Sequence, residues 1–329
     1  MIPAPPLTLL TLRLHFRADE AMTLPRWKGA LLRGGLGRAL RQALCDPACS
    51  SPATCPRKDA CAYRTVFAPE GEAGHSDLQG IRDVPRPYAV QPPLASQTQY
   101  APGDVLVFGL TLAGSARTYL PHVIHAFTAL GQMGLGLGRG RATLTRVESI
   151  DPLSGAALPL LAGDVLHNQV LTTSGGQILT AAALLSTKLT LHFLTPMRLK
   201  YEGRFAETPE CHILVRATLR RVSQLCAHFG EAAWSLPFGQ VIAEAQQVRL
   251  RVCHTQWVEW SRLSGSTGQH MNLGGFVGSA TYEGVSPAVG AVLLLGSLVH
   301  IGKASVFGHG AYTVHDQSEL TLVGSDRPS

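Results

Sequence analysis

The sequence predicts an α+β chain built from two successive ferredoxin-like units. Three observations carry that reading. Thr11-Leu-Arg-Leu-His-Phe16 returns as Lys188-Leu-Thr-Leu-His-Phe193, 177 positions on from His15 to His192. The glycine-rich run LGQMGLGLGRGRATLTRV, Leu130 to Val147, is echoed by HIGKASVFGHGAYTV, His300 to Val314, with Gly138 and Gly308 170 positions apart. Two features recurring in the same order at nearly the same distance indicate two copies of one domain, and the period is far too long for a solenoid. Third, 329 residues are long for one core and comfortable for two. The expected division gives residues 1–170, with a cysteine-rich loop at 45–61, and residues 180–329, with a glycine-rich loop at 302–312.

The elements follow in order. Leu10, Leu12, Leu14 and Phe16 alternate with Thr11, Arg13 and His15, the pattern of a half-buried strand. From Pro25 to Leu44, Leu32, Leu36, Ala39, Leu40, Ala43 and Leu44 share one helical face, while Lys28, Arg38 and Arg41 fall on the other. Gly29, Gly34, Gly35 and Gly37 each weaken such a helix by roughly 1 kcal/mol relative to Ala, so its first half is expected to be open to a loop conformation. Asp46 to Pro102, rich in Pro, Ser and Gly, reads as irregular. Val105 to Leu112 is a strand, and Pro121 to Leu130 a short helix with proline in its first turn. The second half repeats a strand (Lys188 to Phe193), a helix (Pro209 to Phe229), further segments from Val241 to Trp260, then strands and the last glycine loop. Strand, helix, strand, helix and strand suit a ferredoxin-like unit, twice.

Composition narrows the class. A chain 45% hydrophobic and 15% charged is compact rather than disordered. The net charge of +6 permits an anionic partner without requiring one. No signal peptide is visible, and no window reaches the roughly 18 apolar residues of a membrane span, so a soluble, cytoplasmic protein is expected. The glycine runs do not follow G-x-x-x-x-G-K-[ST], and GLGLGRG leads into strand-like residues where a dinucleotide site needs a helix. No G-x-S-x-G or H-E-x-x-H element occurs.

Each glycine run carries cations: Arg139 and Arg141 in the first, Lys303 with His300 and His309 in the second. Glycine lets backbone approach a partner closely, and adjacent cations suit an anionic one, although glycine at a strand entry also serves as a plain bulge. His309, between Gly308 and Gly310, is expected to be exposed. His15 and His192 lie on the polar faces of matching strands; the remaining histidines have no constellation around them.

Cys45, Cys49, Cys55 and Cys61 lie within seventeen residues. Four thiolates in a loop with little core of its own can close around structural zinc, which we place ahead of an iron–sulfur cluster, with free or disulfide-bonded cysteines as the alternative. The spacing matches neither the paired C-x2-C zinc pattern nor the common ferredoxin runs. Four cysteines leave no open position, so no catalytic cofactor is implied.

Thr195-Pro-Met-Arg-Leu-Lys200, Pro209 to Leu225, Gly274-Gly-Phe-Val-Gly278 with Tyr282-Glu-Gly284, and Ile301 to Tyr312 resemble the CRISPR repeat-RNA processing endoribonucleases of the RAMP superfamily. Leu32-Arg-Gly34 followed by the cysteine cluster, and Cys61-Ala-Tyr63, look like one branch of it. The resemblance implies two ferredoxin-like domains, a glycine-rich loop that contacts RNA, and metal-independent cleavage in which the ribose 2′-hydroxyl attacks the adjacent phosphorus and leaves a 2′,3′-cyclic phosphate. Many members place a catalytic histidine in the helical region after the first strand; here no histidine occurs between Phe16 and His75. Arg38 is the first candidate for stabilising the phosphorane, with Lys28 on the same polar side and His309 in the last loop as competitors. Arg33, which falls within the apolar arc, Arg41, Arg139, Arg141, Arg198, Lys200, Lys303 and His300 are expected to bind RNA. Other RAMP subunits are possible partners. The alternative function is a RAMP subunit that has lost cleavage and holds the repeat end of a guide RNA in an effector complex; a weaker third reading is a cysteine-cluster DNA-binding protein.

Overall fold

The computed structural model describes residues 2–45, 49, 55, 60–69, 84–163, 165–263 and 270–317. They form two compact units, one of residues 6–173 with 224–232, the other of residues 1–5, 174–223 and 233 onward.

The first unit runs β1 (Thr8–Ala18), β2 (Met22–Thr23), α1 (Gly29–Leu44), a π-helical turn (Tyr63–Phe67), β3 (Tyr88–Gln91), β4 (Gln99–Tyr100), β5 (Val105–Ala113), α2 (Leu120–Met133), β6 (Ala142–Ile150), β7 (Ala157–Ala162) and β8 (Val165–Leu166). Its main sheet has the order β3-β5-β1-β6-β7-β8. β1 is central, antiparallel to β5 on one side and to β6 on the other. Leu10, Leu12, Leu14 and Phe16 are buried as the alternation requires.

The second unit contains β9 (Thr173–Ser174), α3 (Gly175–Ala182), β10 (Lys188–Met197), β11 (Lys200–Tyr201), β12 (Arg204–Phe205), α4 (Cys211–Phe229), α5 (Phe238–Gln247), β13 (Arg249–Val258), β14 (Ser261–Leu263), β15 (His270–Asn272), β16 (Gly275–Glu283), α6 (Pro287–Val299) and β17 (Tyr312–Asp316); the unit division falls inside β9 and inside α4. Its sheet reads β13-β16-β10-β17. If the four principal strands of each unit are numbered along the chain, both sheets have the order 2-3-1-4, with helices after the first and third. The fold is therefore a tandem pair of ferredoxin-like domains, and the two glycine runs occupy equivalent places, each between the second helix and the fourth strand.

Three expectations are corrected. α1 is helical from Gly29 onward. Its glycines allow close packing: a Cβ on Gly35 would overlap Leu130 of α2, and one on Gly37 would overlap the Phe67 ring. Burying one helix against another offsets their poor propensity. Ala43, placed on the apolar face by periodicity, is exposed near the helix end. The segment expected to be irregular also contains β3 and β4, where Tyr88 to Val90 are buried against β5. In the second unit the apolar run 288–301 is α6, capped by the Ser286 hydroxyl accepting from the Val289 N–H at 3.3 Å. Among the described residues no helix is long and apolar enough to cross a membrane.

Candidate nucleic-acid interface

The last glycine loop is folded back on the strand end that precedes β11. Gly310 N–H donates to the Pro196 carbonyl at 3.1 Å and Lys303 N–H to the Arg198 carbonyl at 2.9 Å. Gly302, Gly308 and Gly310 have φ of +84°, +85° and +71°, a region that suits glycine. At Gly310 a Cβ would strike the Ile301 carbonyl. Compactness has a consequence for the histidines. His300 and His309 are 1% and 2% exposed, and their Nδ1 atoms find no hydrogen-bond partner among the described residues. Burial pushes the His300 pKa down to about 3 and that of His309 down to about 4. His309 stacks on Trp260, ring centroids 4.7 Å apart. The expectation of an exposed His309 is therefore wrong: its flanking glycines serve the fold of the loop.

Around this loop the cations differ in freedom. Lys303 and Lys200 are exposed. Arg198 is half-buried, its Nη1 donating to the Gly274 carbonyl at 3.0 Å and to Asn272 Oδ1 at 3.3 Å, and its guanidinium lies 3.8 Å from the Phe205 ring centre. Trp257, on β13, donates its indole N–H to Glu259 at 2.8 Å.

In the first unit α1 presents Arg38 and Arg41 to solvent, as the wheel requires. Lys28 does not share their side: it is 0% exposed, with Nζ 3.4 Å from the Ala95 carbonyl and 3.5 Å from that of Arg26. Desolvation lowers its pKa. It sits at the N-cap of α1, before the regular periodicity begins, so the wheel could not place it. Arg33 is half-buried and packs its guanidinium 4.5 Å from the Phe67 ring centre and beside Tyr88, unlike the exposed Arg38 and Arg41. Arg139 is exposed in the first glycine run with φ +53°. Arg141 is committed to Glu20, with Nη2 2.7 Å and Nε 2.9 Å from Oε1.

Sequence reasoning missed a carboxylate on the polar face of β1. Glu148 is 5% exposed and accepts from Arg146 at 2.6 Å and contacts His15 Nε2 at 3.1 Å, with Arg13 at 3.7 Å. Burial raises its pKa, but the bonds from Arg146 and His15 outweigh that and leave it lowered. Only register reveals this: Arg13 lies opposite Glu148, and His15 opposite Arg146. Trp257, Trp260, Phe205 and Asn272 were missed too; the aromatic residues interleaved with cations in Arg204-Phe205 and Trp257-x-x-Trp260 were the available clue.

The four clustered cysteines are half-buried and form no disulfide. Burial raises the Cys45 pKa, with Cys61 and Cys55 adding and Arg41 opposing; a hydrogen bond with Cys55 raises that of Cys49. The thiols are thus within electrostatic reach of one another. Among the described residues, however, no three His, Cys, Asp or Glu side chains are placed to hold a metal ion, so the expected tetrahedral zinc set is not formed by this arrangement. Most of the intervening loop lies outside the described residues. Cys211 and Cys226 are pushed up to about 12 by burial, which removes the thiolate needed for reactivity or metal ligation.

Two family models match the chain. One, described as an N-terminal domain, matches residues 7–173. The other, the CRISPR-associated endoribonuclease Cas6, matches residues 191–312. An uncharacterized protein of Archaeoglobus fulgidus is 30% identical over 132 residues, 39% of this chain and 42% of the relative, so the match spans less than half of that relative's length. Among solved structures, a Cas6 product complex has a TM-score of 0.54 at 16% identity, covering 94% of this chain and 99% of that one. Thermus thermophilus Cas6 has a TM-score of 0.54 at 15% identity, with the same coverage of 94% and 99%. A partial Cas6-RT-Cas1–Cas2 complex has 0.59 at 14% identity, covering 95% of this chain and 47% of that one. At these identities the structures speak for the fold alone, and each family model speaks for the residues that it matches. Over residues 7–173, half of its length, the chain belongs to the family described as an N-terminal domain, and over residues 191–312 it is similar to the CRISPR-associated endoribonuclease Cas6 family.

Proposed function

We propose that the protein cleaves CRISPR repeat RNA into mature guide RNA by attack of a ribose 2′-hydroxyl on the adjacent phosphorus, leaving a 2′,3′-cyclic phosphate and a 5′-hydroxyl without a catalytic metal. The observation that carries the proposal is the Cas6 match over residues 191–312. It spans Arg198, Lys200 and Lys303 around the folded glycine loop. In this reading these cations, with Arg139 and Arg41 of the first unit, bind RNA phosphates, and Arg38 stabilises the charge that develops on the phosphorane. Loss of the 2′-proton and protonation of the leaving oxygen then fall to solvent or to the RNA itself, helped by orientation.

That last feature favours a second reading. Lys28, His300 and His309 are all buried, which leaves no accessible proton-transfer group among the three. A RAMP subunit that binds the repeat end of a guide RNA without cutting it, alongside other RAMP subunits, accounts for this directly. One experiment separates the two: incubation with repeat hairpin RNA in EDTA. Cleavage that a 2′-deoxy substitution at the cut site abolishes supports the endoribonuclease; tight binding with no cut supports the binder; undiminished cutting of the 2′-deoxy substrate refutes the mechanism. For Cys45, Cys49, Cys55 and Cys61 the proposal is a structural zinc that draws the four thiols together. Elemental analysis of protein purified anaerobically without chelators then gives about one zinc per chain; its absence removes this part alone.

A further inference from the structure

Trp257 and Phe205 are large rings left 38% and 40% exposed; Phe205 lies against Arg198, and Trp257 lies beside Gly274, which Arg198 bonds. The Arg198 guanidinium lies over Phe205, and Nη1 bonds the Gly274 carbonyl. Gly274 in turn gives the Trp257 indole its place, because a Cβ there would stand 3.1 Å from Nε1. Glu259 occupies the indole N–H, so what Trp257 still offers is the carbon surface of its ring. Glu259 also accepts from Asn272 at 3.3 Å, and Asn272 Oδ1 accepts from the Gly274 N–H at 2.9 Å. The indole is therefore held by hydrogen bonds, and Phe205 by the Arg198 guanidinium over its ring.

Cations surround these rings. Lys200 and Arg204 are exposed on the β11–β12 hairpin that carries Phe205, and exposed Lys303 is tied through its N–H to the Arg198 carbonyl. Fixed aromatic faces beside cations are the means by which proteins hold unpaired nucleotides: the base stacks and the phosphate meets the charge, with little dependence on base identity. A paired base hides its face inside the duplex and cannot use such a surface. We propose that Trp257 and Phe205, joined through Arg198 and Gly274, form a stacking platform for unpaired nucleotides of the RNA, with Lys303 and Lys200 receiving the flanking phosphates. This deepens the proposed function and rests on it for the identity of the RNA.

The test compares binding of a labelled unpaired RNA of about ten nucleotides with binding of a fully paired duplex, by fluorescence anisotropy at fixed salt. Trp257→Ala and Phe205→Ala each weaken the unpaired RNA about tenfold and the duplex less than about twofold, while Trp257→Phe retains most of the parental affinity. Unchanged affinity for unpaired RNA in both alanine variants overturns the platform. So does an equal loss on both RNAs, a Trp257→Phe protein as weak as Trp257→Ala, or a parental dimer that Trp257→Ala dissolves, which would give the surface to a second copy of the chain. Hairpin cleavage by the parent is scored separately. A parent that cuts, with alanine variants that bind normally, loses the platform only. A parent that never cuts, with variants that lose unpaired RNA, loses the endoribonuclease reading only.

Discussion

Burial takes His300 and His309 out of proton transfer near neutral pH, and the same burial makes them markers of stability. With folded pKa values near 3 and 4 against an ordinary 6.5, the unfolded chain binds protons that the native one refuses. Their contribution is fully present above pH 6.5 and is lost as pH falls from there through about 4 and about 3. The expected slope is about 1.4 kcal/mol per pH unit for each histidine. Urea unfolding at several pH values should show it, and His309→Phe should reduce it; a flat profile between pH 6.5 and 5 would place both rings in water. The counterpart is Arg38, exposed on α1. If it stabilises the phosphorane, Arg38→Ala loses about a hundredfold in single-turnover cleavage, and the parental pH–rate curve has no bend near 6.5. A hundredfold loss in a folded His309→Ala protein, with Arg38→Ala near parental, would reverse the assignment. The outward face of Arg38 was legible from periodicity alone. The inward turn of His309 was not, because the same glycines that suggest an open loop here fold it onto Pro196 and Arg198, and that choice depends on a strand more than a hundred residues away.

At the scale of elements, α1 shows why glycine content misleads. Gly34 has nothing within 4 Å of where a Cβ would stand, whereas Gly37 faces the Phe67 ring. Gly34→Ala should stabilise the protein by about 0.5–1 kcal/mol through helix propensity. Gly37→Ala gains the same propensity but overpacks, for a net loss of about 1–2 kcal/mol. Chemical unfolding of the two variants checks this; equal and favourable shifts would mean that the turn Tyr63–Phe67 does not pack on α1. Strands β1 and β10 could be read from alternation because each presents alternate residues to a core. The short β3 and β4 could not, since Pro and Gly around them give the same local pattern as irregular chain and only pairing with β5 and β2 makes them strands.

For the whole molecule, the repeat was visible because strands and glycine runs recur at equivalent points of both units, while the long insertions between them share nothing. Phosphate binding by dispersed cations makes a molecular prediction: the logarithm of the RNA association constant should fall linearly with the logarithm of salt concentration, by about 0.7 per phosphate contact for single strands. Lys303→Ala should reduce that slope by less than about one unit and weaken all RNAs alike. An identical slope in variant and parent would move the binding face elsewhere. The position of β1 has a further consequence, in time rather than in space. Its two neighbours are β5 and β6, so Thr11 meets Thr111 and Ile150. A ribosome adding roughly 5–20 residues per second takes about 7–26 s between finishing β1 and finishing β6. Until β5 is made the leucine-rich β1 has no flank to pair with, until β6 is made one of its edges stays open, and closing so long a loop makes the search slow. Refolding should therefore be limited by docking β6 beside β1, and in the cell β1 is the segment most in need of a chaperone.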